Sequence, residues 1–166
     1  MKTLKILVTA LVISVTMCIN SNAQEKRFES NIEGTSFIGF DVDCGFKGLF
    51  LPSIHYIGGL RLNSSNYIGL GIGIQTEWKL GTFAPIYINY KHLFNSAKQV
   101  SPMISLSAGT DINLTYSEVN PYFEFGYGYS YSLTPDNKIY SLIGIEFMMD
   151  FGCPIIGPSF RVGFAF

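Results

Sequence analysis

Charge is scarce in this chain. Asp, Glu, Lys and Arg make up 14% of its 166 residues, against about 25% in an average soluble domain. Eleven Lys and Arg face twelve Asp and Glu, a net charge of −1. The bases do not cluster, so the chain offers no basic surface for nucleic acid. Three cysteines are too few for a disulfide-scaffold domain, and no CxxC or Cys/His spacing suggests zinc. Beyond the N-terminal segment there is no run of 18 apolar residues, so no membrane helix is coded. No stripe of 3.6-residue period and no low-complexity tract appears. The length suits one domain.

Aromatics (15%) and 17 glycines are plentiful. A chain so apolar and so weakly charged must hide its apolar groups in a core, in lipid, or in both. The first 23 residues form a targeting segment. Lys2 and Lys5 precede the apolar stretch Ile6–Ile19, and Ser21 and Ala23 give small residues at the −3 and −1 positions of a cleavage after Ala23. This is the pattern of a secretory signal peptide. The rival, a lipoprotein modified at Cys18, wants a small residue where Met17 stands. Residues 24–36 carry mixed charge and read as a short N-terminal arm, leaving 37–166 for the folded domain.

That domain alternates with period two, the signature of half-buried strands. Eight runs are expected, near Phe37–Phe46, Leu51–Leu62, Tyr67–Trp78, Ala84–Phe94, Pro102–Leu114, Pro121–Leu133, Ile139–Phe151 and Pro158–Phe166. The third is the cleanest, with Ile68, Leu70, Ile72 and Ile74 opposed to Gly69, Gly71, Gly73 and Gln75. The runs exceed the usual strand length of about 5–6 residues. They match a tilted membrane strand of about 9–11 residues plus its ends.

The two faces decide the solvent. One carries Ile, Leu, Val, Phe and Tyr with scarcely a charge; the other carries Gly, Ser and most of the in-strand charges. A soluble sandwich would turn a charged face to water, and this face is too glycine-rich to be one. A transmembrane barrel inverts the order, with apolar residues outside and small or polar ones inside. Eight strands enclose an interior just wide enough for side chains, and closing the sheet pairs every backbone group that lipid would leave unsatisfied. The expected fold is all-β, an eight-stranded antiparallel up-and-down transmembrane β-barrel. Aromatics stand where headgroup girdles need them: Phe46, Trp78 and Phe151 at one rim, Phe94, Tyr131 and Phe166 at the other.

The ending Phe160-Arg-Val-Gly-Phe-Ala-Phe166 resembles the C-terminal assembly signal of Gram-negative outer membrane β-barrel (porin-like) proteins, especially those of the Bacteroidetes. Phe160, Val162, Phe164 and Phe166 carry its alternation. Phe83–Lys91, Ser101–Gly109 and Asn120–Tyr129 resemble the fourth, fifth and sixth strands of that family. The resemblance implies insertion by the outer-membrane assembly machinery, lipid as the surrounding partner, periplasmic termini and extracellular loops. It carries no catalytic or ligand residues. The loops expected near Lys47–Phe50, Lys79–Phe83, Thr115–Asn120 and Gly152–Gly157 are short for a receptor surface.

Few constellations suggest chemistry. Gly69-Leu-Gly-Ile-Gly73 lacks the following helix of a phosphate loop, so its glycines read as interior spacers. Asp43, Ser53 and His55 share inward parity and invite a hydrolase reading. Ser53 and His55, however, are i, i+2 on one strand, about 7 Å apart, a poor spacing for a direct pair. Inward charges are expected at Asp41, Asp43, Arg61, Glu77, Lys91, Asp111, Glu124, Glu146, Asp150 and Arg161. They form either a salt-bridged plug or a narrow cation-favouring path. In a closed barrel the first and last strands pair. Cys44, near the outer end of the first, and Cys153, in the loop before the last, are therefore a candidate disulfide; the alternative is two separate thiols.

The expectation is a monomeric, non-enzymatic barrel of the bacterial outer membrane, with an envelope-structural or surface-interaction role. No cofactor, metal or nucleic acid is expected. The alternatives are a narrow pore for ions or small solutes, a lipid-modifying outer-membrane enzyme, and a soluble secreted carrier.

Overall fold

A computed structural model describes residues 28–41, 48–77, 81–134, 136–150 and 152–166. The signal segment 1–23, the girdle residues Phe46, Trp78 and Phe151, and Asp43 and Cys44 lie outside them. The described residues form eight strands: β1 (Phe28–Asp41), β2 (Gly48–Arg61), β3 (Asn66–Glu77), β4 (Gly81–Leu93), β5 (Val100–Asn113), β6 (Glu118–Ser132), β7 (Lys138–Asp150) and β8 (Cys153–Ala165). Each pairs antiparallel with its sequence neighbour, and β1 closes on β8.

The closure has a measurable stagger. A walk across paired residues from Asn31 passes Ile57, Gly71, Tyr87, Gly109, Tyr122, Met148 and Ile155, and returns to β1 at Asp41. The register has climbed about ten positions in one circuit, the shear that tilts barrel strands by about 35–45°. Two ladders have gaps, at Pro85 between β3 and β4 and at Pro158 between β8 and β1. Proline has no N–H to give to a ladder.

Alternation sets inside from outside. Ile54 (70% exposed), Ile72, Ile86, Phe125, Ile143 (69%) and Ile145 point away from the barrel axis, while Lys91, Asp111 and Glu146 are buried. The glycines of β3 are spacers, as expected. A Cβ on Gly71 would sit 2.3 Å from Tyr87 Cε2, and one on Gly73 would sit 2.4 Å from His55 Nδ1. Phe94, Tyr131 and Phe166 form an exposed aromatic rim at the end that holds Phe28.

Three expectations need correction. Residues 28–36 are not an arm: they are the first half of β1, paired with β2 from Leu60 to Pro52 and with β8 from Ala165 to Phe160. Without them the barrel could not close. Their alternation hides because three of the outward residues, Ser30, Gly34 and Ser36, are small rather than apolar. Second, strands begin inside each of the four expected loops, β2 at Gly48 and β4 at Gly81 among them. β6 begins at Glu118, and Cys153 opens β8 opposite Asp150 instead of lying in a loop. Cys153 is disulfide-bonded. Third, the interior is far from purely polar. Phe37, Leu51, Phe83, Met148 and Ile155 form a buried cluster toward the end away from the termini. Ile57, Tyr67, Tyr87 and Tyr122 pack in the middle, and Leu93, Met103, Tyr140, Leu142 and Ala165 pack nearer the termini.

Candidate functional site

The interior concentrates the polar chemistry. At its centre lies Glu33, which is fully buried. Lys91 Nζ donates to Glu33 Oε1 at 2.7 Å, to Asn31 Oδ1 at 2.9 Å and to the Tyr140 hydroxyl at 2.6 Å. All three of its N–H donors are thereby used. The ammonium also sits 4.3 Å from the centroid of the Tyr140 ring, within cation–π range. The Tyr140 hydroxyl donates to Glu33 Oε1.

Arg161 meets the same carboxylate from β8. Its Nη1 is 2.8 Å from Glu33 Oε2, an ion contact without hydrogen-bond alignment. Its Nη2 pairs with Glu124. Tyr122 and Ser159 hydroxyls donate to Glu124 at 3.0 and 3.2 Å. Two acids and two bases, drawn from β1, β4, β6 and β8, thus neutralise one another across the barrel. Desolvating four charges is expensive, and the arrangement holds only because each has an opposite partner. At that level Lys91, Glu33, Glu124 and Arg161 are each at most 5% exposed.

Toward the other end, Gln75 Nε2 donates to Glu146 Oε1 at 3.0 Å. Asp111 is fully buried nearby in β5. Arg61 pairs with Glu29 at the terminus-bearing mouth. Glu77, the last residue of β3, is part-exposed. Asp41 and Asp150 lie in strands, but their side chains are outside the described set, as is Asp43. Glu29, Glu33 and Lys138 are interior charges that the sequence reading missed. The signal was present: Glu29, Asn31, Glu33 and Thr35 alternate in a segment read as an arm.

Ser53 and His55 also depart from expectation. The rings and hydroxyls converge although the strand spacing is long, and His55 Nε2 is 2.8 Å from Ser53 Oγ. The far ring nitrogen, Nδ1, is 3.1 Å from the Tyr87 hydroxyl. The pair exists, but its third member is a tyrosine, and Ser53 and His55 are 7% and 3% exposed. In a nucleophile–base pair a third group, usually an acid, orients the base; here both ring nitrogens are taken by Ser53 and Tyr87, and the pair lines an outer-wall cavity of about 930 Å³ with Ile54, Tyr56, Ile72 and Ile74. The described residues hold no cluster of three or more metal-ligating side chains.

Fold and interior define a class, the closed eight-stranded antiparallel barrel with apolar wall and filled lumen. Two solved structures agree with it. The fold is similar to Neisserial surface protein A, with a TM-score of 0.60 and 14% identity, covering 83% of this chain and 95% of that one. It is similar to the outer membrane enzyme PagL, with a TM-score of 0.53 and 11% identity over 80% and 97% of the two chains. The N-terminal β-barrel domain of Pseudomonas aeruginosa OprF matches at a TM-score of 0.45 and 18% identity over 83% and 97%. No protein-family model and no curated protein matches the chain. At these identities the likeness is one of fold, and the fold is that of bacterial outer membrane barrels.

Proposed function

We propose that this protein is a monomeric integral barrel of a bacterial outer membrane, of the Bacteroidetes porin-like kind, with an envelope-structural or surface-interaction role and no enzymatic activity. The observation that carries the reading is the filled lumen. The Glu33–Lys91–Arg161–Glu124 layer and the apolar cluster of Phe37, Leu51, Phe83, Met148 and Ile155 leave the barrel a rigid post rather than a channel. The outward belt of Ile, Phe and Tyr suits lipid. The signal segment and the Phe160–Phe166 ending support export and insertion by the assembly machinery, with the termini on the periplasmic side.

Planar-bilayer recording tests the main alternative: the folded chain should show no steady conductance, and stable ohmic channels would favour a pore. The Ser53–His55 contact and the cavity it lines favour an enzyme. Incubation with phospholipid and lipopolysaccharide should release no acyl chains, and release abolished by His55→Ala would replace the structural reading with the enzymatic one.

A further inference from the structure

The terminus-bearing mouth holds a cavity of about 710 Å³ between the turns that link β2 to β3, β4 to β5 and β6 to β7. Among the described residues, Arg61, Lys98 and Lys138 line it against one acid, Asp136, and serine and threonine hydroxyls fill in between them. The rim is ordered. Asn63 Oδ1 accepts from the backbone N–H groups of Ser65 and Asn66 at 2.9 and 2.8 Å. Ser101 Oγ donates to the Asn95 and Lys98 carbonyls, and Thr134 Oγ1 accepts from Asn137 N–H at 2.9 Å. Ser65 and Ser96 hydroxyls, 3.3 Å apart, tie two of the turns together.

Lys138 is the unexplained member. The residue is 8% exposed, and the groups that act on its ammonium among the described residues are Arg61, a like charge, and Glu29, whose carboxylate Arg61 already holds. Every other well-buried interior cation, Lys91 and Arg161, has its own acid. The Lys138 stem is buried while its ammonium reaches the cavity beside the Arg61 guanidinium, where one anion can take charge-assisted contacts from both.

We infer that this mouth is a binding site for a phosphate group, with Lys138 as its central contact, Arg61 beside it, and Lys98 and the rim hydroxyls closing around the anion. A phosphate has oxygens enough for several donors at once, and charge-assisted contacts from Lys and Arg are the strong ones. A carboxylate would engage fewer of them. The group belongs to a soluble phosphate ester or to a phospholipid headgroup; the chemistry is the same.

Calorimetric titration of the folded chain in non-ionic detergent separates these outcomes. Glycerol 3-phosphate should bind saturably, with acetate and glycerol as controls. Lys138→Gln should weaken binding about tenfold, the loss of one charge-assisted contact, and Lys138→Arg should keep most of it. Lys98→Ala, on an exposed turn that cannot harm the barrel, should weaken it by a smaller factor. Heat-modifiable migration on gels verifies that each variant is folded. Binding of glycerol 3-phosphate lost in Lys138→Gln supports a soluble source. Binding seen only with short-chain phosphatidylglycerol, and lost in the same variant, supports a headgroup. No saturable binding of either probe, acetate bound as tightly as phosphate, or folded Lys138→Gln and Lys98→Ala both binding like the parent would overturn the proposal.

Discussion

Two layers of the lumen are filled by opposite means. Away from the termini, Phe37, Leu51, Phe83, Met148 and Ile155 close the barrel with carbon. In the middle, Glu33, Lys91, Arg161 and Glu124 close it with charge. The walls around both are built alike, by alternating strands with the same shear. What differs is how each layer responds to loss of a member. An apolar cluster that loses one side chain loses transfer energy and gains a cavity, and its neighbours relax partway. An ionic layer that loses one member strands the others in low dielectric, so its integrity depends on completeness more than on any one contact.

Glu33→Ala should therefore be the most damaging single change, about 3–5 kcal/mol, because Lys91 and Arg161 lose a shared partner at once. Urea unfolding from lipid vesicles measures it. Glu33→Met combined with Lys91→Met should cost less than Glu33→Ala alone, since Arg161 keeps Glu124. Equal or greater loss in the double variant would mean that the layer acts through packing, like the cluster above it. In that cluster Met148→Ala should cost about 2–5 kcal/mol by leaving a cavity, with no comparable rescue by a second deletion.

On the outer wall, Ile145→Arg should cost about 2–4 kcal/mol if its level is the bilayer midplane. A spin label there should report lipid, and a report of water would deny the membrane setting. The smallest effect belongs to the polar pair beneath the cluster. Ser53→Ala removes one partner of His55 and should cost about 1–3 kcal/mol in the same titration. A stabilising result would mark the contact as a site held at the expense of stability.

Much of the wall was legible in the residues. The opposition of Ile68, Leu70, Ile72 and Ile74 to Gly69, Gly71 and Gly73 predicts both the outward face of β3 and the spaces that Tyr87 and His55 fill. The first half of β1 was not legible, because Ser30, Gly34 and Ser36 carry no hydrophobic signal; only pairing with β2 and β8 makes 28–36 a strand. The Ser53–His55 contact was misjudged because the strand repeat gives the backbone separation, whereas rotamers bring the Oγ and the ring together. Lys138 was missed because it directly follows a turn, where a charge reads as solvated.

Local chemistry alone determined which residues face out and which face in, because side-chain direction in a strand repeats every two residues whatever the partner. It also determined that the sheet has no place for its polar edges in lipid except by closing on itself. Which inward groups meet was decided only by the closed barrel. Glu33, Lys91, Glu124 and Arg161 come from four strands far apart in the chain. A shift of register would carry each toward a different neighbour. The stagger of about ten residues around the circuit, set by all eight pairings together, brings the four charges to one level.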